Sequence, residues 1–369
     1  MIRVKKIKEA FNTIYELCTE ENTEYSHDNK YLKHLGLANK SPNYIREMAY
    51  KLKYYEDYLQ TMKMSKDEVL QLSYYDQYAH FTGYLSWLKG GNHSCRSKQP
   101  NSKTCNAYLE GVFLHYFFIL KEFPQEGRDI RVCTESKVTS IGNAGVRFSR
   151  SVVSFGGYYE TEPSRGKTIK KDRLEELIAA CKGNLRNILL IILIAETGFR
   201  IGEILGVRWK HDIDIEKRLI KVRRRTTNTN GALAKRGEFR SARVSDETFE
   251  LLMMYIAQNN EIFERTEYLF ITCHGLSKGE ALTVDAVYSF LRTLEKRTGI
   301  HCTPHMIRHY FANSRRKAGW DTAEISAALG HRHLSTTEAY LDVDEDELIA
   351  ASEKYYAQTD SMMSIDKLL

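Results

Sequence analysis

The stretch Glu196-Thr197-Gly198-Phe199-Arg200-Ile201-Gly202-Glu203-Ile204-Leu205 follows directly on eight consecutive apolar residues, Ile188 to Ala195. A membrane-crossing helix needs ~20 such residues, so the apolar run reads as a helix buried in a protein core. Gly198 is suited to end that helix, because glycine enters the left-handed conformation at no steric cost. Arg200 then begins a second, amphipathic helix, whose first backbone amides also favour an anion. A guanidinium beside a helix N-terminus suits a phosphate. Taken alone, Arg200 is more simply read as pairing with Glu203 on its own helix.

Downstream, Leu219 to Val244 is rich in Val, Ile, Thr and Arg, with Asn228-Thr229-Asn230-Gly231 as a turn, and reads as two or three short strands. Between Glu216 and Arg243 ten basic residues face two acids. Such a density is either a solvated ribbon face or a hairpin that tracks phosphates by displacing counterions. The DNA-contact candidates on it are Arg223, Arg224, Arg225, Arg236, Arg240 and Arg243. Further on, His305-Met306-Ile307-Arg308 places His305 and Arg308 three apart, on one helical face. In Leu329-Gly330-His331-Arg332-His333-Leu334-Ser335-Thr336-Thr337-Glu338-Ala339-Tyr340, Gly330 ends one helix, Ser335 or Thr336 caps the next, and Tyr340 rides on it. With 23 tyrosines in the chain, packing is the ordinary role of any single one.

In order along the chain, Arg200, a lysine of the basic hairpin, His305, Arg308, His331 and Tyr340 resemble the active-site signature of the tyrosine recombinase (phage integrase) family. Thr197 to Glu203 is similar to its first-arginine box, His305 to Arg308 to its His-x-x-Arg box, and Leu329-Gly330-His331 with Tyr340 to its last two boxes. Lys235 precedes Arg240 and Arg243 as the family lysine does, while Lys217 and Lys221 remain alternatives. Tyr310 departs from the small residue usual at that place. The motifs cover roughly residues 167–342.

The resemblance implies a mainly α fold with a small antiparallel β-sheet (α+β). It further implies a helical core-binding domain, a catalytic domain, and a site-specific recombinase or integrase activity that uses no metal or other cofactor. Tyr340 would be the nucleophile, Arg200 and Arg308 the phosphate clamp, Lys235 the general acid, His305 a proton acceptor near the tyrosine, and His331 a donor to the phosphate. The implied partners are double-stranded DNA with paired recombination sites, sister protomers in a homotetramer, and accessory or host DNA-bending proteins. Rival readings keep the fold but not the reaction (a DNA-binding regulator), keep the chemistry but not the pairing of sites (a type IB-like topoisomerase or telomere resolvase), or drop DNA altogether (a helical protein-interaction module).

Composition is compatible with this and weaker as evidence. The chain carries 54 Lys+Arg against 48 Asp+Glu, a net charge of +6, which suits a polyanionic partner. Seven scattered cysteines show no C-x-x-C pair, pointing to a reducing cytoplasm rather than a zinc or redox centre. Arg3, Lys5, Lys6 and Lys8 precede no apolar run of the kind a secretory signal has, and no membrane partner is expected. Tyr44, Met48, Leu52, Tyr55 and Leu59 recur at helical steps, so residues 41–124 read as a helical DNA-binding domain after an N-terminal segment, 1–40, of unclear role. Residues 125–167 lose periodicity, carry several glycines and read as a linker. The catalytic domain is expected over 168–369, opening with Asp172 as an N-cap and closing with a tail helix after Asp344 that either packs on its own domain or, as the family resemblance implies, is exchanged with a neighbouring protomer.

Overall fold

Tyr15 and Leu17 stand two residues apart on a strand, so both turn to one face, and both are buried. They belong to a hairpin of β1 (Arg3–Lys8) and β2 (Thr13–Cys18) that packs on α1 (Ser26–Leu37) and α2 (Pro42–Met62). The computed structural model describes residues 2–8, 13–19, 25–94, 99–141, 147–161, 166–225, 227–232, 239–331, 333–338, 340–341, 349 and 352–353. Among these, no helix is long and apolar enough to cross a membrane.

The start of α2 follows from its sequence: the Ser41 hydroxyl accepts from the Tyr44 amide at 3.3 Å, and Pro42 occupies the first turn. The expected stripe of Tyr44, Met48, Leu52, Tyr55 and Leu59 runs along it, but its first half packs against the hairpin and α1, and Asn29 of α1 bonds both the amide and the carbonyl of Leu17. Residues before 41 therefore belong to the helical unit instead of preceding it. The second half of the stripe joins α3 (Lys66–Gln71), α4 (Tyr74–Lys89) and α5 (Ser102–Glu122) in an aromatic core around Tyr55, Phe81, Tyr84 and Tyr116.

The segment expected as a linker is largely structured. Within it β3 (Cys133–Ile141) and β4 (Arg147–Phe155) pair antiparallel, with Cys133 opposite Phe155. Its base is apolar: Val132, Cys133, Val153 and Phe155 enter the aromatic core, and Phe155 meets Phe113 with ring centroids 5.3 Å apart. The first compact unit accordingly runs to Pro163, and the second begins at Ser164.

The second unit opens with α6 (Lys171–Ala179), capped at Lys170, so Asp172 sits inside the first turn rather than at the cap. Next come α7 (Leu185–Thr197), α8 (Ile201–Ile204) and α9 (Trp209–Asp212). A three-stranded antiparallel sheet of β5 (Ile213–Asp214), β6 (Leu219–Val222) and β7 (Arg240–Arg243), in that order, realises the expected strands. After it run α10 (Asp246–Gln258), α11 (Asn260–Phe263), α12 (Val284–Thr298), α13 (Pro304–Lys317), α14 (Thr322–Leu329) and α15 (Leu334–Glu338). The apolar run of α7 is the axis of the core, with Leu189, Leu190, Leu193 and Ile194 buried and α10 and α13 packed against it. Ser335 and Thr336 lie within α15 and do not cap it. The expected tail helix falls almost wholly outside the described residues.

Candidate active site

Two glycines aim two carbonyls at one point. Gly198 ends α7 with φ +63° and Gly330 ends α14 with φ +61°. A Cβ at Gly198 would come within 2.5 Å of Phe311, and one at Gly330 within 2.7 Å of the Arg240 guanidinium, so conformation and space both require glycine. Between these turns lies Arg308 of α13, only 1% exposed. It donates to the Gly198 carbonyl, to the Leu329 carbonyl at 2.6 Å, and to His331 Nε2 at 2.9 Å.

No carboxylate touches that guanidinium among the contacts described. Burial, and after it the neighbouring Arg200 cation, pull Arg308 from its usual value down to about 9, which leaves it charged at neutral pH. A buried cation held by main-chain carbonyls next to a second cation is short of negative charge, and an arriving phosphate would supply it. Because Arg308 donates to Nε2 of His331, the proton of that ring sits on Nδ1, facing Thr337 Oγ1 at 2.9 Å. In this arrangement His331 orients Arg308.

Arg200 begins α8 as the sequence suggests and keeps 29% of its side chain exposed. Glu203, buried, takes the Arg200 amide at 2.7 Å, the Arg200 guanidinium at 3.1 Å and the Arg240 guanidinium. Pairing with Glu203 and facing the site are thus compatible: the carboxylate fixes one edge of Arg200 and leaves part of it to solvent. Arg240 also donates to the Ala328 carbonyl at 2.7 Å.

Tyr340 approaches from the other side. Its hydroxyl lies 3.3 Å from His305 Nε2, its ring lies 4.9 Å from that of His331, and the Arg308 guanidinium stands 5.9 Å from its ring centre. Arg200, His305, Arg308, His331 and Tyr340 therefore share one site. Lys235 and Arg236 fall outside the described residues. Lys221 bonds Asp214 at 3.0 Å, as expected of a strand cation with a local partner.

The six arginines expected to contact DNA divide. Arg225 is turned inward, with two 2.8 Å bonds to buried Asp212, and Arg240 belongs to the Glu203 cluster. Buried carboxylates hold both, which sequence reading treated as surface cations. Arg223, Arg224 and Arg243 are exposed, although Arg223 also meets Asp212 at 3.2 Å and Arg243 meets Asp246 at 3.6 Å. Glu203, Thr337, His309 and Asn313 were missed as site residues, although His309 and Asn313 follow His305 at four-residue steps on one helix; Arg240 was expected as a DNA contact and not as a partner of Glu203.

The arrangement sets two neighbouring guanidinium groups and two imidazoles beside a phenol hydroxyl. Residues 167–347 match the Phage integrase family. The chain belongs to that family, the tyrosine recombinases. It is 28% identical over 338 residues to Transposase A from transposon Tn554 of Staphylococcus aureus, covering 88% of this chain and 90% of the relative. It is 32% identical over 185 residues to tyrosine recombinase XerA of Saccharolobus solfataricus, covering 49% and 54%. Among solved structures, the Tn1549 transposon integrase in complex with circular intermediate DNA shares the fold with a TM-score of 0.58 at 16% identity, covering 89% of this chain and 98% of that one. XerH bound to palindromic difH substrate does so with 0.59 at 19%, covering 86% and 81%.

Proposed function

We propose that the chain is a site-specific recombinase that cuts and rejoins double-stranded DNA through a 3′-phosphotyrosyl intermediate, integrating or excising a mobile genetic element. The observation that carries this reading is the convergence of a buried Arg308, a partly exposed Arg200 that shares the Leu329 carbonyl with it, and the Tyr340 hydroxyl 3.3 Å from an imidazole. Its similarity to a transposase along most of both chains supports the mobile-element role.

In the proposed reaction Tyr340 Oη attacks the scissile phosphorus, and its proton passes toward His305 Nε2. The bond from phosphorus to the 5′ oxygen breaks, and Lys235 delivers a proton to that oxygen, giving a free 5′-hydroxyl. Arg200 and Arg308 hold the nonbridging oxygens and stabilise the charge that builds in the pentacoordinate transition state. His331 keeps the Arg308 fork aimed; once the guanidinium turns to the anion, the ring takes the tautomer with its proton on Nε2, which donates to the phosphate, while Nδ1 accepts from the Thr337 hydroxyl. Rejoining is the reverse with a 5′-hydroxyl of the partner strand as nucleophile, so the phosphodiester energy is conserved. The working assembly is a homotetramer on two sites in the cytoplasm, with accessory or DNA-bending proteins setting direction, and Arg223, Arg224 and Arg243 are the exposed cations that contact backbone.

Tyr340→Phe tests the reading. It should bind element-end DNA as the wild type does while strand cutting is lost, and strand cutting by this variant would overturn the assignment.

A further inference from the structure

His305, His309 and Asn313 stand four residues apart on α13 and so form one stripe along a single face of that helix. The whole stripe is spent on Tyr340. His305 Nε2 lies 3.3 Å from the hydroxyl, the His309 ring lies flat against the tyrosine ring with centroids 3.7 Å apart and planes 7° apart, and Asn313 donates to the Tyr340 carbonyl at 3.2 Å. The same Asn313 amide reaches the carbonyl of His309 at 3.2 Å, tying the stripe to itself. α13 thus meets Tyr340 at its hydroxyl, ring and backbone. Among the described contacts the Tyr340 amide also bonds the Thr337 carbonyl at 2.8 Å, the residue packs on the apolar cluster that holds Leu329, and its ring lies beside that of His331.

His309 itself is 2% exposed, and its other side is closed by Gly166. A Cβ at Gly166 would lie 1.9 Å from His309 Cε1, so no side chain is possible there without moving the imidazole. Residue 166 comes three residues after Pro163, where the first unit ends. Burial, and then the neighbouring His305, hold the His309 imidazole down to about 4, so at neutral pH an uncharged ring meets the phenol.

We propose that His309 is a positioning residue for the nucleophile: its ring, seated by Gly166 at the entry to the catalytic unit, sets the plane of the Tyr340 ring and thereby the line of attack. This rests on the reading of Tyr340 as nucleophile. An attacking oxygen displaced by about 1 Å loses on the order of 100-fold in rate, which is the size of effect at stake.

The test uses the full chain, single-turnover cleavage at saturating DNA, and two substrates: an ordinary phosphodiester and a 5′-bridging phosphorothiolate, whose thiolate leaves without a proton. His309→Leu should lower the cleavage rate at least 10-fold on both substrates with unchanged DNA affinity, and His309→Phe, which restores a flat ring, should recover most of it. Gly166→Val, which keeps the imidazole of His309 but displaces it, should reproduce the His309→Leu defect and keeps the test alive if His309→Leu fails to fold. Wild-type rates in both His309→Leu and Gly166→Val would overturn the inference. So would a defect rescued by the phosphorothiolate, which would place the fault at the leaving group, or a His309→Phe as poor as His309→Leu. If the wild type itself forms no adduct on Tyr340, the reading of the function fails first and separately.

Discussion

In the proposed reaction Arg308 is a cation kept ready for a phosphate. Its fork is spread between the carbonyls of Gly198 and Leu329 and the ring of His331, an arrangement that fixes direction without neutralising charge. Lysine, a point charge with no fork, cannot hold those three partners at once. Arg308→Lys should therefore lower cleavage by about 10²–10³-fold, the usual cost of one preorganised donor, while DNA affinity changes only several-fold; single-turnover cleavage and a binding titration measure the two. Most of this site was legible in the sequence because motif spacing and helical period coincide: His305 and Arg308 share a face, and both glycines mark helix ends. What was not legible came from long-range pairing. Arg240 looks like any other arginine of a basic strand, and only the fold brings it to Glu203, 37 residues away in the chain.

Among the elements, the strand pair β3 and β4 was the least readable. The apolar residues that pack into the core lie at its base, and the strands above mix Val138, Ile141 and Phe148 with Ser, Thr, Lys and Arg, so neither alternation nor composition separates it from a loop. The packing at that base is nevertheless substantial. Phe155→Ala should destabilise the first unit by about 3–5 kcal/mol, read as a lower urea midpoint, whereas a change under about 1 kcal/mol would mean that the strand pair is not part of that core. The turn after α7 was readable from Gly198, and its demands go further than the sequence tells. Alanine there must take φ +63° and push against Phe311, so Gly198→Ala should lower stability by at least ~1 kcal/mol and also weaken cleavage, since it shifts a carbonyl that Arg308 uses.

For the molecule as a whole, protonation and salt give the two broadest tests. His80, His115 and His309 are buried and held at about 4, chiefly by desolvation. Unfolded, each returns to about 6.5 and takes up a proton between those values. The unfolded state then binds more protons, so stability is greatest above about pH 6.5 and falls as the pH drops toward 4, by up to roughly 1.4 kcal/mol per pH unit for each histidine. Glu56, raised by burial, acts in the opposite direction and offsets part of this. The urea midpoint should accordingly be lower at pH 5 than at pH 7; a flat or rising midpoint would contradict neutral buried imidazoles. DNA affinity should fall steeply with salt, as several phosphate contacts require, and a salt-independent affinity would count against contacts to the DNA backbone. The most direct measurement concerns the covalent step. The wild type and Tyr340→Phe are incubated with nicked suicide substrates carrying candidate element ends, and any protein–DNA adduct is mapped by peptide mass spectrometry. The predicted result is an adduct on Tyr340 that the variant lacks. An adduct on another residue, or an equal yield from Tyr340→Phe, would contradict the account.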